Sequence, residues 1–319
     1  MSNAPALQRR IVGWALFGAA LSTWWFSGYA GRDRLGEIAI AAIFAMSLDL
    51  LVGYGGMVSL GHALFFGLGA YSLAGLTLFL KWPPALAVLA AIVLTGLVAL
   101  LIGRLIVHLG GVFFIMVTLA FGQMGWAWFA RDRVFGGIGG LSGIPQLDLS
   151  GVGGDLANPA HFALFGIAVA TTVYLALARL VASPFGAIVS AIHQNENRAR
   201  ALGCPVQRYK LAVFTASAML AALAGTLQAQ RTGFVSPDLL VWTSSGEVLI
   251  MVIVGGIASL LGPIAGAALW TLLHHYLSAV TPYWMLIMGI FFVAVVLLAG
   301  EGLYGALARL TRRRRHVQG

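Results

Sequence analysis

The side chains of this sequence that are best equipped for specific chemistry lie in one polar stretch, residues 183–210. The stretch reads SPFGAIVSAIHQNENRARALGCPVQRYK and includes Asn195, Glu196, Arg198 and Arg200. Amide, carboxylate and guanidinium groups grouped in this way form charge-assisted hydrogen bonds to a second protein. They include no nucleophile paired with a general base. The stretch therefore predicts a docking surface and no catalytic centre.

The sequence around these polar residues predicts one helix from Ser183 to Gly203. Ser183 and Pro184 are typical of a helix start, because serine caps free amides and proline suits the first turn. Gly203, which precedes Cys204-Pro205, marks the end. The apolar residues of the helix fall near one face: Phe185, Ile188, Val189, Ile192, Ala199 and Leu202. Such a helix either lies on lipid or is a lever moved by a soluble motor subunit.

The composition places this helix in a membrane protein. Hydrophobic residues make up 60% of the 319 residues and charged residues 9%, with a mean hydropathy of +0.92. These values exclude a soluble domain and a disordered chain, and they predict a single all-α polytopic membrane domain over residues 1–319. At about 20 apolar residues per span, we predict about ten transmembrane helices. Their apolar runs begin near Ile11, Leu35, Val58, Pro84, Val112, His161, Leu211, Ser244, Ile264 and Pro282.

Glycines interrupt two of the apolar runs. Gly53-Tyr54-Gly55-Gly56 and Gly61 break the run that begins near Leu35, and Gly255-Gly256 with Gly262-Pro263 break the run that begins near Ser244. Each run holds either two spans or a broken, partly re-entrant helix. Unpaired backbone at membrane depth is tolerated only within protein or beside a water-filled cavity. The small residues equally suit close helix packing, so both explanations stay open.

Five residues within the apolar runs are candidates for lining a transport path: Asp49, His62, Phe66, Tyr71 and Glu247. A carboxylate within a span is costly unless it is protonated, paired or hydrated. Asp49 is therefore either a structural carboxyl bonded to a neighbouring helix or a group that faces the path and favours a polar or cationic substrate group. His62 is either a satisfied buried imidazole or a substrate contact. Glu247 is either a solvated charge near a helix start or a pathway residue.

The basic residues predict the orientation in the membrane. With ten spans and both termini on one side, 13 of the 19 lysines and arginines fall on that side, and the positive-inside rule makes it the cytoplasmic side. Residues 183–210 then lie in the cytoplasm, together with a basic tail at residues 312–319. We expect this tail to meet anionic lipid headgroups, and we predict no binding of nucleic acid.

Several signatures of enzymes and nucleotide-binding proteins are missing from the sequence. It contains no GxxxxGK[ST] phosphate loop, so any use of nucleotide must come from another chain. His274-His275 has no carboxylate at metal-ligand spacing, and no Ser, His and Asp form a recognisable nucleophile elbow. We therefore predict no catalytic residue, no metal site and no cofactor bound by this chain.

Four motifs, in this order, together resemble the membrane permeases of ABC importers for hydrophobic or branched-chain amino acids, most closely the LivM-type branch. They are LDLLVGYGGMVSLGHALFFGLGAY (Leu48 to Tyr71), GGIGGLSGIP (Gly136 to Pro145), the region from Ser183 to Lys210 running into LAALAGTL (Leu220 to Leu227), and IVGGIASLLGPIAGAAL (Ile253 to Leu269). The resemblance covers roughly Leu35 to Gly305. The sequence departs from the family pattern at Asp49, where asparagine is common, and at Glu301, where proline-arginine is often seen.

The resemblance implies a type II ABC importer permease fold with broken helices, in a bacterial inner membrane with both termini cytoplasmic. It implies alternating access that moves branched-chain or related amino acids, or small amides. The implied partners are a second permease, expected to be a LivH-type sister, two cytoplasmic ATPases that bind ATP and Mg, an extracytoplasmic substrate-binding protein, and membrane lipid.

Residues 183–210 match the coupling-helix region of such permeases, which docks on the ATPase. The resemblance implies that Phe185, Ile188 and Ile192 hold the helix to the bundle. It also implies that Asn195, Glu196 and Arg198 face the ATPase, and Gly203 ends the helix. The alternative is a proton-coupled secondary transporter in which Asp49 or Glu247 carries the proton. A secondary transporter does not require the cytoplasmic helix.

Overall fold

The structure, a computed structural model, describes residue 14 and residues 17–25, 28–149 and 154–298, and this part of the chain is mostly helical. Residues 17–25 are helical. The later helices are α1 (Tyr29–Asp49), α2 (His62–Leu78), α3 (Pro84–Ile106), α4 (Gly111–Arg131), α5 (Pro159–Val181), α6 (Pro184–Gln194), α7 (Glu196–Ala201), α8 (Val206–Thr232), α9 (Trp242–Gly255), α10 (Leu261–Val280) and α11 (Trp284–Leu298).

The all-α polytopic prediction is confirmed within these residues. Each predicted apolar run after the first begins within six residues of a described helix start. Five stretches are long and apolar enough to cross a membrane: Tyr29–Tyr54, Pro84–Ile106, Gly111–Arg131, Pro159–Val181 and Val206–Thr232. The run near Ile11, Glu301 and the tail at residues 312–319 lie outside the described residues. The count of ten spans stays a prediction.

Both glycine-rich interruptions are breaks between helices. After α1, Leu50–Tyr54 form one π-helical turn, and residues 55–61 have no regular structure before α2 begins at His62. Between α9 and α10, residues 256–260 form a turn in which Ala258 and Leu260 have left-handed φ angles of 59° and 56°. We call residues 256–260 the α9–α10 turn.

Helix α8 is the centre of the described bundle, because it packs against α1, α2 and α3. Glycines allow the closest approach. Gly225 of α8 lies against the backbone carbonyl of Phe66 in α2, and Gly69 of α2 lies against the backbone of Ala222. Lipid offers no hydrophobic drive for helix association, so such backbone contacts supply van der Waals packing that larger residues would prevent.

A glycine-rich connection follows α4 and docks on the far end of α8. It contains a short 3₁₀ turn (Gly137–Gly139), and β1 (Leu141–Ser142) pairs antiparallel with β4 (Phe234–Val235). β2 (Asp148–Leu149) pairs antiparallel with β3 (Gly154–Asp155). The Gln146 Nε2 donates to the Gln230 carbonyl at 3.0 Å, which fixes the connection to α8. A second 3₁₀ turn, Pro237–Leu240, leads into α9.

Candidate functional site

The polar stretch forms two short helices, so the prediction of one uninterrupted helix from Ser183 to Gly203 is wrong. Helix α6 ends at Gln194, and Asn195 adopts an extended conformation with φ −158° and ψ 96°. The Asn195 side-chain oxygen then accepts a hydrogen bond from the Arg198 backbone amide at 2.9 Å and caps α7. Asparagine is among the best helix N-caps, so a new helix start competes successfully with continuation. Gly203 follows α7 with a left-handed φ of 81°.

The apolar side of these two helices holds them to the bundle. Ile192, Ala199 and Val206 form a small buried cluster, with Ile188 packed against it. The Phe185 ring contacts the Tyr209 ring at 5.5 Å between centroids. The expected anchoring residues therefore do pack inward. Leu202 does not: it lies just past the end of α7 and is 78% exposed.

Glu196 has two cationic partners within the chain. Its Oε1 accepts from Arg200 Nη2 at 2.6 Å, and its Oε2 accepts from Lys210 Nζ at 2.5 Å. Partial burial on its own would raise the pKa of this carboxyl, but the hydrogen bonds and charges of Lys210 and Arg200 lower the pKa below its ordinary value. The ion pairs therefore persist at neutral pH and are lost only as pH falls through that lowered pKa. The pair with Lys210 ties α7 to the start of α8, whereas the pair with Arg200 lies within α7.

The outward side of α6 and α7 is polar and exposed within the described chain. It carries His193, Gln194, Asn195, Asn197, Arg198 and Arg200. A shallow cavity of about 320 Å³ lies beside it, lined by Arg200 and residues 205–208. This surface offers amide and guanidinium donors of the kind that bind carboxylates and backbone carbonyls of a partner. We call the exposed residues 193–200 the docking face.

Asp49 lies at the end of α1, fully buried, and bonds to the α9–α10 turn. Its Oδ1 accepts from the Ala258 amide at 2.7 Å, and its Oδ2 accepts from the Leu260 amide at 3.2 Å. Beside it, the Tyr54 hydroxyl donates to the Ala258 carbonyl at 2.9 Å. Both carboxylate oxygens are thus engaged with backbone, which is the arrangement expected of a structural carboxyl.

His62, Phe66 and Tyr71 are buried along α2. The His62 Nε2 lies 2.8 Å from Ser47 Oγ, and its ring stacks on Phe44. The Phe66 ring lies 4.6 Å from the same Phe44 ring. Tyr71 stacks on Phe129, with ring centroids 4.1 Å apart. In this conformation the three side chains pack inside the described bundle, and their predicted role in a path stays a prediction.

Glu247 lies in a different part of the structure from the other four pathway candidates. It lines a cavity of about 510 Å³ between α9, α10 and α11, whose other lining residues include Ile250, Trp270, Trp284 and Phe292. The five pathway candidates therefore do not converge on one site. Asp49 faces a turn, three residues face the bundle interior, and Glu247 faces this groove. No group of three potential metal ligands occurs in the described part of the chain.

Sequence reasoning missed Tyr54, Gly56, His193 and Ala258 as contact residues. Tyr54 and Ala258 are 204 residues apart in the chain, and no local pattern joins them. The run Gly53-Tyr54-Gly55-Gly56 did carry a signal. A single tyrosine among glycines suits a position where two backbone segments approach closely and one side chain forms a hydrogen bond between them. Gly53 supplies that approach: a Cβ there would lie 2.6 Å from the Ala258 amide nitrogen.

The known proteins to which this chain is similar are permease components of transport systems. Residues 33–296 match the family described as "Branched-chain amino acid transport system / permease component". The high-affinity branched-chain amino acid transport system permease protein LivM of Escherichia coli (strain K12) is 29% identical over 94% of this chain and 77% of its own length. LivM of Salmonella typhimurium is 30% identical over 83% of this chain and 67% of its own length.

A shorter match is to the galactose/methyl galactoside import permease protein MglC of Haemophilus influenzae. It is 28% identical over 37% of this chain and 39% of its own length. No solved structure gives a significant match.

Proposed function

We propose how this chain works from the fact that it belongs to the family of branched-chain amino acid transport system permease components. It is a transport subunit of an ABC importer and is not itself an enzyme. We propose that the docking face on α6 and α7 binds a cytoplasmic ATPase. Hydrolysis of ATP with Mg on that ATPase then drives alternating access in this chain. Family membership favours a subunit of an ABC importer over the alternative, a proton-coupled secondary transporter.

This proposal rests on the way in which α6 and α7, which carry the docking face, are attached to the rest of the chain. Its polar side chains are exposed, while Phe185, Ile188 and Ile192 pack against the chain. Glu196 adds one ionic link from α7 to α8, through Lys210. A surface that is rigidly attached and polar outward transmits a push from a partner as a rigid-body movement. A helix that merely lay on lipid would expose its apolar side.

The proposed substrates are branched-chain amino acids, for which the LivM relatives are named, or related amino acids. We propose a bacterial inner-membrane location with cytoplasmic termini, a second permease of LivH type, and an extracytoplasmic binding protein that delivers substrate. The breaks after α1 and between α9 and α10 support alternating access, because broken helices bend at defined points between rigid segments.

Purification in mild detergent from the native host, followed by mass spectrometry of co-purifying chains, tests this assembly. We expect one or more ATPases that carry a phosphate loop, and a second permease. Reproducible purification of this chain without any ATPase, under conditions that keep other ABC importers of the same host intact, would contradict the proposal.

Charge reversal at Glu196 is expected to weaken ATPase binding. Glu196→Arg places three cations together where two ion pairs stood, and like charges at an interface oppose both docking and the seating of α7. We expect about tenfold less co-purifying ATPase, which corresponds to about 1.4 kcal/mol, with membrane insertion unchanged. The double variant Glu196→Arg with Lys210→Glu, which restores the ion pair between α7 and α8 and leaves the docking face unchanged, is the matched control and is expected to recover most of the binding. If the single variant retains as much ATPase as wild type, Glu196 does not help to hold the docking face in place.

A further inference from the structure

The last residue of α1 and the segment that follows it lie between α6 and the α9–α10 turn. Residues 49–56 include Asp49 and Tyr54, which bond to the α9–α10 turn, and Gly56, which rests on α6. The turn of Leu50–Tyr54 also contacts α6. We call residues 49–56 the latch segment. Neither the family match nor the docking face assigns it a role.

On one side, the latch segment determines the shape of the α9–α10 turn. A positive φ angle is unfavourable for a residue with a Cβ, and Ala258 and Leu260 both adopt one. Such conformations persist only when surrounding contacts hold them. The Asp49 carboxylate binds the amides of these same two residues, and Tyr54 binds the Ala258 carbonyl. The start of α10 is therefore positioned from α1.

On the other side, the latch segment touches the helix that carries the docking face. Gly56 has a left-handed φ of 67°, and a Cβ at this position would overlap the Nδ1 atom of His193 in α6. The backbone at Gly56 and the imidazole of His193 are thus in direct contact. His193 also belongs to the docking face, so a partner that moves α6 would also move this contact.

We propose that the latch segment carries the displacement of α6 to the α9–α10 turn, with Tyr54 and Asp49 as positioning residues that keep both broken helices in step. This inference rests on the proposed function, since it presumes a partner that moves α6. Packed protein transmits displacement because it is dense and has little free volume. Breaking the latch segment should leave the ATPase docked and active while α10 no longer follows.

The first test is Tyr54→Phe in the complete transporter, reconstituted in liposomes with its co-purified subunits and assayed with labelled leucine. The variant keeps the ring and loses the hydrogen bond to the Ala258 carbonyl. We expect leucine transported per ATP hydrolysed to fall about threefold or more, with ATPase binding unchanged. Tyr283→Phe removes an equivalent hydroxyl from a tyrosine that is 72% exposed, and should match wild type.

The second test is a double-mutant cycle at the contact with α6. Gly56→Ala should lower leucine transported per ATP, because the new methyl group meets the His193 ring. In a His193→Ala background, the same change should have little further effect, since that ring is gone. Gly111→Ala is the matched control: its φ is 56°, so the backbone strain is alike, and no atom lies within 4 Å of the added Cβ.

The possible outcomes distinguish a failure of the proposal for the latch segment from a failure of the proposed function. A wild-type assembly without ATP-dependent uptake would contradict the proposed function itself. With a working wild type, a normal ratio of transport to hydrolysis in both Tyr54→Phe and Gly56→Ala would overturn the latch segment alone. A fall in Gly56→Ala that persists undiminished in the His193→Ala background would also overturn it, because the effect would then not pass through α6.

Discussion

Replacement of Gly225 by valine is expected to abolish accumulation of folded protein in the membrane. A Cβ at Gly225 would overlap the carbonyl group of Phe66, which is backbone and cannot turn aside. Helices α2 and α8 would have to separate along the most heavily packed contact of the described bundle. Overpacking costs about 1–3 kcal/mol where side chains can adjust, and we expect more here because only backbone can move.

Gly289→Val provides the matched control for this variant. Gly289 also lies within a helix, α11, but no atom lies within 4 Å of an added Cβ. The level of folded protein, measured by fluorescence-detected size-exclusion chromatography of detergent extracts, should fall to background for Gly225→Val and stay near wild type for Gly289→Val. Equal levels for the two variants would show that α2 and α8 do not approach as closely as described.

Asp49→Asn is expected to destabilise the protein and reduce uptake without changing substrate preference. Both Asp49 oxygens accept backbone amides, so the amide nitrogen of asparagine must face one of two N–H donors. A buried donor left without an acceptor costs about 1–3 kcal/mol. The ranking of leucine, a basic amino acid and urea in competition uptake should stay as in wild type, because both carboxylate oxygens bind backbone amides of the α9–α10 turn.

The control for Asp49→Asn is Asp238→Asn, the same chemical change at an exposed aspartate. Thermal stability in detergent should fall only for Asp49→Asn. A changed ranking of competing substrates in Asp49→Asn would instead assign Asp49 to the path. That result would favour the alternative in which this departure from the family pattern adjusts specificity.

The sequence was sufficient for the features that depend on composition over long windows. Helices α3, α4 and α5 follow from apolar runs of spanning length, and proline at the start of α3 and α5 places two of their boundaries closely. The glycine runs also located both helix breaks. Local chemistry was thus enough to find these two breaks, although not the third one at Asn195.

The sequence was not sufficient for contacts that depend on tertiary packing. Glu196 was expected to face a partner, but Lys210, 14 residues later, binds it within the chain. Asn195 is a residue type suited to an N-cap, yet the surrounding periodicity favours a continuous helix. Asp49 was open between two roles because its partners, Ala258 and Leu260, lie more than 200 residues away.

The most direct test of the account is the energy source for uptake into liposomes. The chain alone should neither hydrolyse ATP nor concentrate leucine, under a proton gradient or without one. The complete assembly with ATPases, second permease and binding protein should concentrate leucine when ATP and Mg are supplied, and a proton uncoupler should leave that uptake unchanged. Concentrative uptake by the chain alone, driven by a proton gradient and abolished by the uncoupler, would contradict the account.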